Sequence, residues 1–157
     1  MSKQHDNTSD FKVINVNKKA RFDYIILETF EAGIVLSGNE IKSVRSGGVS
    51  LTEAYIRPVD GEMFLIGSNI KEYAFSHDSN YNPTRQRKLL LHKREIDKLR
   101  GRVEMKGMTL VPLRIYLKRG IAKVEIGLAK GKDAPDKRRA IMAREKDREA
   151  ERAMKRM

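Results

Sequence analysis

Two glutamates, Glu31 and Glu40, are the residues with most to offer an enzyme: carboxylates flanking an expected turn could hold Mg²⁺ in a nuclease. Isolated glutamates near basic loops more often orient an arginine, or accept a hydrogen bond from a base edge or a ribose hydroxyl, and that reading is preferred here. His5, His77 and His92 are far apart, and none has a second His or Cys at metal-ligand spacing. The chain has no Cys, so it can build no disulfide, thiolate zinc site or thiol nucleophile. It also lacks a Gly-Lys-Ser/Thr phosphate loop, a nucleophile elbow and a dinucleotide fingerprint. The expectation is a binding protein rather than an enzyme, with no cofactor and no metal.

What it binds is indicated by charge. Lys and Arg number 33 against 21 Asp and Glu, a formal net charge of +12. A polyanion is the natural partner of such a chain, although charge alone does not separate RNA from DNA or an anionic membrane. The cations are clustered at turns and element ends. Lys18, Lys19 and Arg21 follow Asn17 at the start of an expected short helix; Lys42 and Arg45 are three apart, hence on one helical face. Arg85 and Arg87 would point the same way in an extended segment, with Lys88 beside them, and Lys130-Gly131-Lys132 follows the last strand. Of the aromatics, Phe22, Tyr24, Phe30, Tyr55, Phe64 and Tyr116 fall in strand-like runs and suit a core. Tyr73, Phe75 and Tyr81 lie in an expected loop over 70–83 and are better placed to stack on bases.

The elements that must position these groups are mostly strands. β-Branched and aromatic runs predict strands at Lys12–Val16, Tyr24–Phe30, Gly33–Leu36, Leu51–Arg57, Glu62–Asn69, Met108–Leu117 and Ile121–Leu128. Asp60-Gly61 and Lys118-Arg119-Gly120 read as hairpin turns. Val124, Ile126 and Leu128 alternate with Lys123, Glu125 and Gly127, which predicts one wet face on the last strand. Short helices are expected at Asn39–Val44 and Lys93–Arg100, the latter stopping at Gly101. The class is mostly β, and an antiparallel barrel of the oligonucleotide-binding type with short flanking helices fits best. The chain divides into a polar leader (1–10), the barrel (11–132) and a basic tail (133–157). From Lys130 to Met157 there are eleven Lys/Arg and six Asp/Glu, too few apolar groups to bury a core. The leader lacks an apolar segment, and no window approaches the ~18 apolar residues of a membrane span, so a cytoplasmic protein with no membrane partner is expected.

Four ordered motifs make the sequence more specific than this. Asn17-Lys18-Lys19-Ala20 with Asp23-Tyr24 comes first, then Glu31-Ala32-Gly33-Ile34-Val35-Leu36 followed by Gly38 and Glu40-Ile41-Lys42-Ser43-Val44-Arg45. Arg85, Arg87-Lys88-Leu89-Leu90-Leu91 is the third; Gly127-Leu128-Ala129-Lys130-Gly131-Lys132 with Asp136-Lys137-Arg138 is the fourth. Together they resemble the small protein B family of SsrA-RNA-binding proteins, the partners of transfer-messenger RNA in bacterial ribosome rescue. The likeness runs from about Asn17 to Arg138; Asp133 and Pro135 depart from the basic or bulky residues the family often has there. The resemblance implies a barrel that grips the tRNA-like domain of transfer-messenger RNA, with no DNA partner. It also implies a tail, loose when free, that becomes helical in the mRNA channel and decoding centre of a stalled ribosome. Asn17, Glu31, Leu91 and Lys123 carry over as RNA-face positions, and Asp136, Lys137, Arg138, Arg139, Ile141 and Met142 as the ribosome-engaging tail; Leu91 also suits a core by its apolar pattern. A general tRNA- or rRNA-binding barrel is the rival within the binding class, and the nuclease is the rival outside it.

Overall fold

The computed structural model describes residues 10–132 and 134–155. In chain order the elements are β1 (Phe11–Val16), α1 (Lys18–Asp23), β2 (Tyr24–Ile34), α2 (Gly38–Arg45), β3 (Val49–Ser50), β4 (Tyr55–Val59), β5 (Glu62–Ile66), β6 (Asn69–Ile70), β7 (Arg87–Leu90), α3 (Lys93–Val103), β8 (Met108–Lys118), β9 (Ile121–Gly131) and α4 (Ala134–Lys155). The main sheet runs β1-β8-β4-β5-β7-β2-β9, and β9 pairs back onto β8. Six strands therefore close into an antiparallel ring, with β1 laid along the Arg114–Lys118 end of β8 while β4 meets β8 at Leu110. Closure leaves few open edges and makes the barrel expected from the sequence.

Local chemistry explains the joints. Both hairpins use two-residue loops with positive φ at each position, Asp60 (50°) with Gly61 (77°) and Arg119 (52°) with Gly120 (76°), the twist that antiparallel strands require. Pro112, which has no N–H to give a ladder, sits where the β8–β9 register shifts. Its carbonyl accepts a hydrogen bond from Asn17 Nδ2 at 2.9 Å. Inside the ring, Ala32, Met63, Leu65, Leu89, Leu99, Leu110, Ile115, Val124 and Ile126 are buried. A smaller core under α1 joins Ala20, Val111, Leu113 and Ala129.

Several expectations are revised. β2 is one continuous strand through Ile34, so Glu31 lies within a strand and flanks no turn. Leu51–Arg57 is interrupted: β3 ends at Ser50 and β4 begins at Tyr55. Arg87–Leu90 is a strand that the hydrophobic pattern did not suggest, its first two residues being charged. α3 runs through Gly101 to Val103. The wet face of β9 runs from Ile121 through Lys123 to Glu125 and stops there; Gly127 and Ala129 are covered by the second core, and a Cβ on Gly127 would lie 3.0–3.2 Å from the Leu113 side chain. Residues 1–9 of the leader lie outside the described residues. None of the described helices is long and apolar enough to cross a membrane.

A buried ion pair ties α2 to the ring. Glu40 (1% exposed) accepts from Arg87 Nε at 2.5 Å and from Arg85 Nη2 at 2.5 Å, and its other contacts complete the Ser37 capping box at the start of α2. Arg87 is fully buried and also donates to Ser68 Oγ (3.0 Å), the Ser68 carbonyl (3.1 Å) and the Pro83 carbonyl (3.0 Å). Burial alone would push the Glu40 carboxyl up; hydrogen bonds from Arg85, the Ser37 N–H and Arg87 outweigh it and hold the group below the usual carboxylate range. Its folded pKa being depressed, the pair stabilises the fold above the ordinary carboxylate pKa and loses that contribution as pH falls through the folded value. Glu40→Gln leaves Arg87 buried without a counter-charge and is expected to cost about 3–5 kcal/mol, lowering Tm by roughly 10 °C in a chain of this size. Thermal melts from neutral to acid pH check this: the gap between wild type and variant should narrow as pH falls, and a constant gap would mean that the carboxylate charge is not what matters.

Candidate nucleic-acid interface

The outward faces of β2, β9 and β8 form one patch, and strand register dictates its layout. Glu31 on β2 stands opposite Glu125 on β9, which stands opposite Arg114 on β8; one step along, Gly33, Lys123 and Tyr116 form the next row. Tyr116 buries its ring and donates its hydroxyl to Glu31 Oε2, while Lys118 Nζ lies 3.5 Å from Oε1. The Tyr116 hydrogen bond, with Lys118 and Lys123 nearby, outweighs desolvation and holds the Glu31 carboxyl below its ordinary value; burial and the same hydrogen bond push the tyrosine up. Glu31 is thus an oriented, ionised acceptor that remains 41% exposed. Beside it, Arg114 donates to Glu125 Oε2 from Nε (3.2 Å) and Nη2 (3.1 Å), and Arg21 reaches the other oxygen at 3.5 Å. The Arg114 guanidinium also lies 5.3 Å from the Phe11 ring and 5.0 Å from that of Tyr116, the two rings being 4.8 Å apart.

Next to this patch an open cleft of about 360 Å³ brings together Glu31, Leu91 and Lys123 with Gly33, Leu90, His92 and Glu95, whose Oε1 accepts from the His92 N–H at 3.2 Å. A fixed acceptor, a cation and aliphatic walls can receive a ribose hydroxyl or a base edge with its phosphate. Leu91 is half-buried against the core and takes part in both. Around α1, the Lys132 ammonium bonds the Arg21 carbonyl at 3.1 Å and the Lys132 N–H bonds the Asp23 carbonyl at 2.9 Å, so the end of β9 and α1 present their cations side by side. Lys18 and Lys130 are exposed, and Lys19 lies 3.5 Å from Glu53.

Other candidates stand elsewhere. Asn17, expected on the RNA face, is 3% exposed: Nδ2 bonds the Leu51 and Pro112 carbonyls and Oδ1 caps the Ala20 N–H, so its polar atoms hold the frame together. Arg85 and Arg87 do point the same way, but toward Glu40; Arg87 offers nothing to a ligand, and Arg85 keeps only part of its side chain at the surface. Both oxygens of Glu40 are engaged by these guanidinium groups, which removes it as partner to Glu31 in a metal site. Lys88 pairs with Glu62 at 2.9 Å, and Lys42 and Arg45 are exposed on α2. On α4, Arg138, Ile141 and Met142 are exposed; the side chains of Asp136, Lys137 and Arg139 lie outside the described residues. Phe11, Arg114, Tyr116, Lys118 and Glu125 were not singled out from the sequence for this site. For Arg114, Tyr116 and Lys118 the signal was their spacing by two, which places all three on one face; Phe11 and Glu125 join them only through strand pairing.

A family model described as SmpB protein matches residues 14–156. The chain is 55% identical over 150 residues to the SsrA-binding protein of Chloroflexus aggregans, covering 95% of each chain. It is 52% identical over 148 residues to that of Shouchella clausii, covering 94% of this chain and 95% of the relative. A solved structure described as "tmRNA-SmpB: a journey to the center of the bacterial ribosome" contains a chain that superimposes with a TM-score of 0.64 at 50% identity, over 81% of this chain and 93% of that one.

The Tyr116 hydroxyl has a direct spectroscopic test. Tyr116→Phe removes the donor that contributes most to the low Glu31 pKa, so the carboxyl titration of Glu31 by NMR should move up toward its ordinary value. An unchanged midpoint would show that the lysines alone hold the charge.

Proposed function

Because the chain belongs to the SmpB family, we propose that it binds the tRNA-like domain of transfer-messenger RNA and delivers it to stalled ribosomes, where incomplete proteins are tagged and the ribosomes rescued. One observation carries this reading: the family match spans residues 14–156, taking in both the barrel and α4. The patch and cleft around Glu31 are the RNA face. Lysines and arginines from α1, β9 and the β9 exit attract and register phosphates; the Glu31 carboxylate, oriented by Tyr116, selects hydroxyl and amino donors that a generic polyanion does not present there. Binding and escort need no covalent chemistry. The protein works in the cytoplasm, beside the ribosome.

α4 serves a second partner. Its described side chains from Ile141 to Lys155 are exposed, and the Arg144 guanidinium lies 5.2 Å from the Phe22 ring of α1, a surface contact, so the described side chains share no apolar core with the barrel. A 22-residue amphiphile of alternating charge is marginal in water by itself, and ribosomal RNA in the mRNA channel and decoding centre supplies the contacts that hold it as a helix on the ribosome.

Affinity for transfer-messenger RNA should fall steeply with salt, with a log–log slope of about −3 to −7 for roughly 4–8 neutralised phosphates. Filter binding between low and physiological salt measures it, and a slope near zero would remove the electrostatic part of the interface. Glu31→Gln should weaken discrimination for this RNA by about 1–3 kcal/mol, with no Mg²⁺-dependent cleavage by either form. Truncation after Lys132 should leave RNA affinity intact while tagging in a reconstituted rescue assay is lost. Full-rate rescue by the truncated chain would make α4 a solubilising appendage; loss of RNA binding would place the clamp in the wrong half.

A further inference from the structure

A second cleft, of about 400 Å³, opens between the turn after α2 and the segment after β6. It shares no lining residue with the cleft at Glu31. Phe75, 78% exposed, lines it, packed edge to face on Tyr73 with ring centroids 5.5 Å apart. The Lys42 ammonium sits 5.6 Å from the Tyr73 ring, Lys71 lines the cleft, and Arg45, next to the turn, has no ion pair among the described residues. Glu72 is the one carboxylate in the lining. Gly47 and Gly48, also in the lining, leave bare backbone; Gly47 has φ of +83° and a Cβ on Gly48 would meet Ser43 Oγ at 2.5 Å.

The aromatic pair is presented by a braced segment. Tyr81 donates its hydroxyl to the carbonyls of Ile70 (2.6 Å) and Lys71 (3.1 Å), the Lys71 N–H bonds the Gly48 carbonyl at 2.8 Å, the Ile70 N–H bonds the Pro83 carbonyl at 2.9 Å, and the Ser76 N–H bonds the Tyr73 carbonyl at 2.8 Å. Little ordering is therefore needed for a ligand to use it. An exposed ring with cations on its flank and an open backbone wall has the components of a nucleobase platform: stacking for the base, Lys and Arg for its phosphate.

The geometry points to this cleft as a second RNA site that stacks an unpaired base of ribosomal RNA against Phe75, with Lys42, Arg45 and Lys71 on the adjoining phosphates. The choice of source rests on the reading that transfer-messenger RNA occupies the Glu31 face. α2, roughly 12 Å long, separates the end of β2 from the turn over 46–48 in the chain, and the two clefts have no lining residue in common, so each can be assigned its own RNA.

The test measures equilibrium binding of full-length protein to vacant 70S ribosomes and, separately, to isolated transfer-messenger RNA. Phe75→Ala should weaken ribosome binding roughly ten-fold, the scale of one stacked base; Phe75→Trp should keep it, and Phe75→Leu should not, because an aliphatic side chain offers no π-face. Lys42→Gln combined with Arg45→Gln should weaken it and flatten its salt dependence. Affinity for transfer-messenger RNA should stay within two-fold in every variant, with Glu31→Gln as the control that lowers it. Ribosome binding unchanged by Phe75→Ala overturns the inference. Full retention by Phe75→Leu overturns it in favour of an apolar protein surface, and loss of transfer-messenger RNA affinity instead assigns the cleft to that RNA. If Glu31→Gln leaves transfer-messenger RNA binding intact while the Phe75 series behaves as stated, the assignment of the first face fails and the stacking site stands.

Discussion

The Glu40–Arg87 ion pair sits where three parts of the chain would otherwise be free of one another. Removing two charges from water costs several kcal/mol per ion, and an apolar pair of similar volume would often be as stable. What apolar side chains cannot do is fix directions. One carboxylate here takes two guanidinium groups and the start of α2, and one guanidinium spans Ser68 and Pro83, on either side of the aromatic segment. No buried side-chain polar atom among the described residues lacks a partner, so the network meets the condition under which a buried charge is tolerated. α2, the 70–83 segment and β7 are positioned by it together.

Asn17 has the matching role on the other side of the barrel. Its amide joins β1, the segment after β3 and the bulge of β8 through the Leu51 and Pro112 carbonyls while capping α1. Pro112 makes this possible: its ring breaks the regular ladder and leaves a carbonyl for a side chain to use. With β8 pinned there and at the Arg119-Gly120 turn, a slip of one residue would move Arg114, Tyr116 and Lys118 from the outer face into the core. The position of the Glu31 carboxylate is thus a consequence of register, not of a flexible loop.

Polar residues at interior positions are what the sequence conceals. Periodicity was sufficient for the hairpins, β8, β9 and the closed mostly-β class, because each of those strands alternates or carries its own turn signal. It failed at Arg87-Lys88, where a charged pair begins a strand, and at Glu31-Ala32-Gly33, where a small-residue run passes through the sheet instead of turning. Arg87 and Asn17 were legible as important, yet their side chains turn inward, since the partners that satisfy them lie 47 and up to 95 residues away in sequence. Tyr116 shows the converse. Its strand position marked it as core; the ring is buried, but on the outer face against Phe11, and the hydroxyl that orients Glu31 could be found only once β2 and β8 had been placed on either side of β9.

Charge neutralised inside the protein separates two kinds of cation on its surface. Lys19, Arg21, Lys88 and Arg114 each have a carboxylate within 3.5 Å, so their positions are set, but part of their attraction for phosphate is already satisfied. Lys18, Arg45 and Lys130 have no such partner among the described residues and keep their full attraction. Arg21 and Arg114 of the first kind meet at Glu125, opposite Glu31, where carboxylates would repel phosphate unless donor groups of the ligand met them; Lys19 and Lys88 are paired elsewhere, with Glu53 and Glu62, and Arg45 of the second kind lies on α2. An RNA approaching by electrostatics alone is attracted everywhere on a +12 protein. On the reading proposed above, it would settle at the acidic centre of the basic patch only by bringing hydroxyl or amino groups to that point, and the carboxylates, a minority of the charge, would then carry the selectivity.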